Sequence, residues 1–195
     1  MATAPSSAIG VGFGTAALGG QCYDVVLLAL KAGFRKFDTA EADWWYDQKA
    51  VGRALRDYFE EQQQTMDDEC VADECNPLKC DDLKISTKIP PWSLTSAVDI
   101  RKNASNSRSE LVGFCDQVEM TDEEGNVLDT RPFPLDVYYI HAPRCWQGWH
   151  NRCNNAPKTL ELRESWMAME AVVGVDHSAR RIGLSNISPQ ELLDI

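Results

Sequence analysis

Apolar and polar positions along the chain fall into two alternating patterns. Ala8 to Thr15, Phe34 to Asp38, Leu83 to Lys88, Leu135 to His141 and Arg181 to Ser185 have the length and nearly continuous apolar character of strands buried on both faces. Between them, apolar residues recur at helical spacing over about Tyr23–Ala32, Lys49–Phe59, Thr95–Cys115 and Leu160–Val173, with Gly33 as the C-cap of the first. Strand, helix and strand repeated in this order predict an α/β fold with a parallel sheet and helical crossovers. Near the end, Ser188, Pro189 and Glu191 make a capping box with proline at the first helical position. The chain stops at Ile195, about one turn later, and a helix that short has no stability of its own, so a C-terminally truncated protein is expected.

Charge changes this picture in two places. The 195 residues carry a formal net charge of −11. Residues 60–82 contribute a net −8 and residues 115–131 a net −5, which leaves the rest of the chain at +2. Both segments fall between a helix and the following strand, where insertions are tolerated, and their dense charge predicts disordered surface loops. The scaffold lacks the clustered lysine and arginine of a nucleic-acid binder. It also has no apolar run near the roughly 20 residues that span a bilayer. The start, Met1 to Ser7, lacks the basic patch and apolar stretch of a signal peptide, so a cytoplasmic location is expected.

Seven cysteines are present: Cys22, Cys70, Cys75, Cys80, Cys115, Cys145 and Cys153. The spacing of Cys70, Cys75 and Cys80 matches no paired CxxC zinc pattern, and no metal is expected. Cys145 and Cys153 flank a short loop and could bridge if their Cα atoms approach within about 7 Å. With an odd count and no export signal, free thiols are the default expectation. Asn103 and Asn186 each begin a glycosylation sequon, which carries little meaning without secretion.

Polar residues gather at the C-terminal ends of the strands: Thr15, Asp38, Lys88, His141, and Ser185 with Asn186. In an alternating parallel α/β fold these ends converge on one face, where the loops build an active site. Each residue alone has an ordinary structural explanation, as a turn cap, a solvated strand end or a satisfied histidine. Such residues at five successive strand ends together point to chemistry.

At these residues the sequence resembles the aldo-keto reductases. The resemblance is carried by Gly12-Phe-Gly-Thr15, Gly33-Phe-Arg-Lys-Phe-Asp-Thr-Ala40, Ala50-Val-Gly52, Ser86-Thr-Lys88, Leu135-Asp-Val-Tyr-Tyr-Ile-His-Ala-Pro143, Trp166-Met-Ala-Met-Glu170 and Arg181-Ile-Gly-Leu-Ser-Asn186. It implies a (β/α)8 TIM-type barrel that reduces aldehydes and ketones with NADPH, here incomplete at about five β/α units. The chain is then one partial barrel domain, 1–195, with acidic insertions at about 60–82 and 115–131. By motif, Asp38, Lys88 and His141 take three places of the family's catalytic tetrad, and Tyr46 is the candidate for the fourth. Ser185 and Asn186 match the pair that binds the nicotinamide carboxamide, while Thr15 and Asp38 match residues beside its ribose.

The chemistry suits those residue types. Hydride addition builds negative charge on a carbonyl oxygen, so a proton donor must face it. A tyrosine with an unperturbed pKa of about 10 becomes a workable acid if an ammonium group, here Lys88, stabilises its phenolate. Asp38 would orient Lys88, and His141 would orient the substrate oxygen. The tyrosine departs from the family pattern: Asp43 occupies its usual spacing from Asp38, and alignment on Val51 and Gly52 puts Trp45 in its place. Either a longer loop delivers Tyr46, or Trp45 replaces the acid. Trp92, Trp146 and Trp149 are candidate apolar walls for a small carbonyl substrate.

A full barrel typically has about 250 residues, so this chain alone is expected to be inactive. The resemblance leaves NADH open as an alternative cofactor. It also leaves a second kind of protein open, a cofactor-binding regulatory subunit of the same fold, like channel beta-subunits, with little turnover.

Overall fold

A computed structural model describes residues 10–69, 78–115, 118–121, 127–146 and 148–195. Its centre is a five-stranded parallel sheet in the order β1 (Gly12–Gly14), β2 (Lys36–Asp38), β3 (Lys84–Ile89), β6 (Leu135–Ile140) and β7 (Ala179–Leu184). Helices α1 (Cys22–Lys31), α2 (Gln48–Glu69), α3 (Ala97–Val112) and α5 (Leu162–Gly174) make the crossovers and pack each against the next. Spatial order follows chain order, and right-handed crossovers then put every helix on one face of the sheet. This is the arrangement of an incomplete (β/α)8 barrel, with β1 and β7 as its edges.

Local chemistry accounts for the elements. Gly33, at φ +94°, ends α1 in the left-handed region that glycine enters without steric cost. Ser96 caps α3 by accepting from the Asp99 amide, and Asp47 accepts from the Ala50 amide at the start of α2. A Cβ on Gly52 would collide with the Glu110 carbonyl, so only glycine lets α2 and α3 approach this closely. Leu30, Phe37, Leu55, Ile85, Ile100 and Met169 are fully buried between the sheet and the helices.

Two expectations are corrected. The acidic segments are not wholly irregular: α2 runs on to Glu69, because glutamate and glutamine are good helix formers. In the second segment β4 (Val118–Thr121) and β5 (Val127–Arg131) pair as an antiparallel hairpin. Free thiols are not the rule either. Cys80 bridges Cys115 and Cys145 bridges Cys153, with Cα separations of 5.9 and 5.3 Å, inside the range a disulfide spans. Cys22 is free and buried, while Cys70 and Cys75 lie outside the described residues. The terminal capping box forms and starts the short helix α6 (Pro189–Leu192). Among the described residues no helix is long and apolar enough to cross a membrane.

Candidate active site

The parallel hydrogen-bond ladder continues past the strand ends and sets the site residues in place. The amides of Thr15, Glu41, His141 and Ser185 donate to the carbonyls of Asp38, Lys88, Ile89 and Ile140, each on the neighbouring chain segment, at 2.9–3.0 Å. Side chains alternate faces along β3, so Thr87 turns toward the helices and Lys88 toward the opposite, concave face. There the Lys88 ammonium donates to Asp38 Oδ2 at 2.5 Å and to the Thr39 carbonyl at 2.8 Å. Only 11% of the Lys88 side chain is exposed, so this charge is held by its partners more than by water.

Tyr46 reaches the same place through a tight turn. The amides of Trp45 and Tyr46 both donate to the Ala42 carbonyl, and the Trp45 carbonyl accepts from the Ala17 amide. Trp44 and Trp45 are thrown outward, 39% and 49% exposed, and Tyr46 is turned inward just ahead of the Asp47 cap. The Lys88 ammonium lies 5.3 Å from the centre of the Tyr46 ring, and the His141 ring meets it edge-on at 5.9 Å. Tyr46, rather than Trp45, is therefore the side chain packed between the lysine and the histidine.

These groups open on a cavity of about 370 Å³ lined by Asp38, Tyr46, Lys88, His141, Ser185 and Asn186, with Trp44, Trp45, Trp146 and Trp149 around them. A larger cleft, about 870 Å³, lies on the other side of the Trp44–Tyr46 turn, against α3. The smaller one is the candidate site because the convergent ionisable groups face it. Asn186, at φ +53°, donates its amide to the His141 carbonyl at 2.8 Å and to Ser185 Oγ at 3.1 Å.

Two residues expected at the site stand behind it. Thr15 is fully buried, with its hydroxyl on the Asp38 carbonyl, and it does not line the cavity. Trp92 is also buried; it touches Trp149 and His150, which places it against the wall, and it does not line the cavity itself. Trp44, His150 and Glu41 were missed by sequence reasoning. The run Asp43-Trp-Trp-Tyr46 was the only signal for the first, and nothing local marked the other two.

Electrostatics sets the protonation states. Burial raises the Tyr46 phenol above its ordinary value, and the Asp38 carboxylate adds to the rise. This reverses the expected effect of Lys88, whose ammonium is taken up by Asp38 and Thr39. Burial, helped by Lys88, pushes the His141 imidazole down to about 4, so it is neutral at pH 7. His141 Nδ1 is enclosed without a hydrogen-bond partner. A bare Nδ1 acceptor costs least if the proton sits on Nε2, which leaves Nε2 as the donor.

The family model of the aldo/keto reductase family matches residues 10–195. The chain belongs to the aldo/keto reductase family. No curated protein matches the sequence. Among solved structures, an aldose reductase from Giardia lamblia is 21% identical with a TM-score of 0.65, the match covering 94% of this chain and 51% of that protein. An aldose reductase from Schistosoma japonicum is 21% identical, TM-score 0.63, with coverage of 95% and 52%. A Bombyx mori aldo-keto reductase solved in complex with NADP is 19% identical, TM-score 0.61, with coverage of 95% and 49%. At these identities the likeness is one of fold, and this family member spans about half the length of those structures.

Proposed function

We propose that the chain carries the proton-donating site of an NADPH-dependent carbonyl reductase acting on small aldehydes or ketones. The observation that supports this most is the convergence of Asp38, Lys88, Tyr46 and His141 on one cavity. Tyr46 holds its proton at neutral pH and is the acid that protonates the carbonyl oxygen. Lys88, anchored by Asp38, offsets the charge left on the phenolate. Neutral His141 donates from Nε2 to the same oxygen and fixes its direction.

The residues present fit a nicotinamide ring. Ser185 and Asn186 offer a hydroxyl and an amide in the lining of the cavity, which suits a carboxamide, and the Bombyx mori relative was solved with NADP. Reduced nicotinamide, when bound, supplies the hydride; NADH would supply the same chemistry. The two disulfides favour a more oxidising setting than the cytoplasm.

The deciding experiment is Tyr46→Phe in the protein assayed by carbonyl-dependent NADPH oxidation. Loss of the acid lowers kcat by about a hundredfold or more with cofactor affinity kept. An unchanged kcat would exclude Tyr46 as the acid, and Trp45→Phe would then be the next variant to assay.

A further inference from the structure

The segment that follows β6 supplies Trp146 and Trp149 to the lining of the cavity. Trp146 and Trp149 stack nearly parallel, with ring centres 4.4 Å apart, and Trp149 meets His141 edge-on at 5.5 Å. His150 stacks on Trp44 at 4.9 Å, and Arg152 pairs with Asp43 at 2.8 Å while lying over the Trp92 ring at 5.8 Å. The segment thus clamps onto the turn that carries Tyr46.

Non-covalent contacts hold this clamp weakly. Arg152 and Asp43 are 48% and 64% exposed as side chains, and water screens a pair of that kind. Trp146 is itself 42% exposed. Among its described residues the segment's only regular structure is the single turn of α4 (Asn151–Asn154). What closes it is the covalent bridge from Cys145 to Cys153. Both tryptophans, His150 and Arg152 lie inside the ring that this bridge makes.

We propose that the Cys145–Cys153 disulfide is the positioning element of this aromatic wall, and that its redox state sets which carbonyl substrates the site accepts. Closed, the ring holds Trp149 against His141 and presents a flat indole face suited to aromatic carbonyls. Opening needs an external dithiol, which gives two electrons and two protons to the bridge and becomes a disulfide itself, leaving Cys145 and Cys153 as thiols. The freed segment then gains conformational entropy that its exposed contacts cannot offset. The acid, the lysine and the histidine stand on other elements and keep their geometry. The substrate part of this inference rests on the carbonyl reductase proposed above.

The second bridge provides a control. Cys80–Cys115 joins the segment before β3 to the end of α3, at the opposite end of the strands, so opening it leaves the wall in place. The test compares Cys145→Ser/Cys153→Ser, Cys80→Ser/Cys115→Ser and the parent protein. Two readouts are taken: the circular-dichroism couplet of stacked indoles, and kinetics with an aromatic ketone and a short aliphatic aldehyde. Expected is loss of the couplet in Cys145→Ser/Cys153→Ser alone, with KM for the aromatic ketone raised about tenfold and both constants for the aldehyde within about twofold. Should that variant not fold, dithiothreitol added to Cys80→Ser/Cys115→Ser opens the same bridge and must have the same effect. A couplet and KM indifferent to the state of this bridge would overturn the proposal. If the couplet responds as expected but no form of the protein oxidises NADPH, the reductase function fails while the positioning role of the bridge stands.

Discussion

Neighbouring residues of the same strands supply two polar clusters that differ in how charge is handled. On the concave face, Lys88 and Asp38 form an ion pair at the mouth of a cavity, with 45% of the Asp38 side chain open to solvent. On the helix face, one residue earlier on β3, the Thr87 hydroxyl donates to Gln48, and Gln48 donates to Ser107 and Glu110. Ser107 and Tyr138 both donate to Glu41 Oε1, at 2.8 and 2.6 Å. Among the described residues no cation pairs with Glu41. Its carboxyl is pushed up to about 7, chiefly by burial. The Tyr138 phenol that faces it rises well above its ordinary value, again chiefly by burial and then through Glu41. On the concave face the carboxylate has an ammonium partner. One given only hydroxyls stays near protonation and serves to anchor the loop that leads to Tyr46.

The most disruptive way to break this contrast is Lys88→Met, which leaves Asp38 without a cation, as Glu41 is. Carbonyl reduction is expected to fall about a thousandfold in kcat/KM, because both the phenolate and Asp38 lose their counter-charge. Less than about a tenfold loss would show that Lys88 does not support the acid.

A smaller effect comes from Glu41→Gln, read as stability against pH. The folded chain holds the Glu41 proton up to about pH 7, while an unfolded glutamate releases it near 4.5, so this group's contribution is greatest below 4.5 and lost as pH rises through 7. His141 acts in the opposite direction. Its folded value of about 4 lies below 6.5, so its contribution is present above 6.5 and lost as pH falls through 4. In the parent protein the two slopes oppose one another between about 4.5 and 6.5. Removing Glu41 uncovers the rise due to His141 and should change the pH 4.5-to-7 stability difference by about 2 kcal/mol, measured by urea unfolding. Identical pH profiles for variant and parent would show that Glu41 titrates as it does in water.

The smallest expected effect is that of Asp43→Asn, which removes the exposed pair with Arg152. Stability should change by no more than about 0.5 kcal/mol, and the change should vanish at high salt. A loss several times larger would mean that the clamp between the two loops is held by this pair and not by the disulfide.

How far the site could be read from the chain depended on whether a residue sits on a strand or in a loop. Asp38, Lys88, His141 and Ser185 follow apolar runs whose ends a parallel sheet must bring together, so their convergence was legible. Tyr46 was named as the candidate acid with Trp45 left as its alternative, since two tryptophans lengthen its loop and only the turn at Ala42 decides which aromatic faces Lys88. Trp92 was placed in the cavity because its loop points that way, yet burial against Ala40 and Ala42 draws it behind the wall. Glu41 was passed over because its partners, Tyr138 and Ser107, lie 97 and 66 residues away.

By itself the sequence determined the order of the five sheet strands and their crossover helices, the parallel sheet and the face on which the ionisable residues meet. Those features follow from local periodicity and from the one hand in which such crossovers pack. The path of the Tyr46 turn, the pairing of the cysteines and the protonation of Glu41, Tyr46 and His141 were decided only by tertiary structure. Each depends on which groups, distant along the chain, exclude water from a given side chain, and burial of that kind is a property of the packed whole.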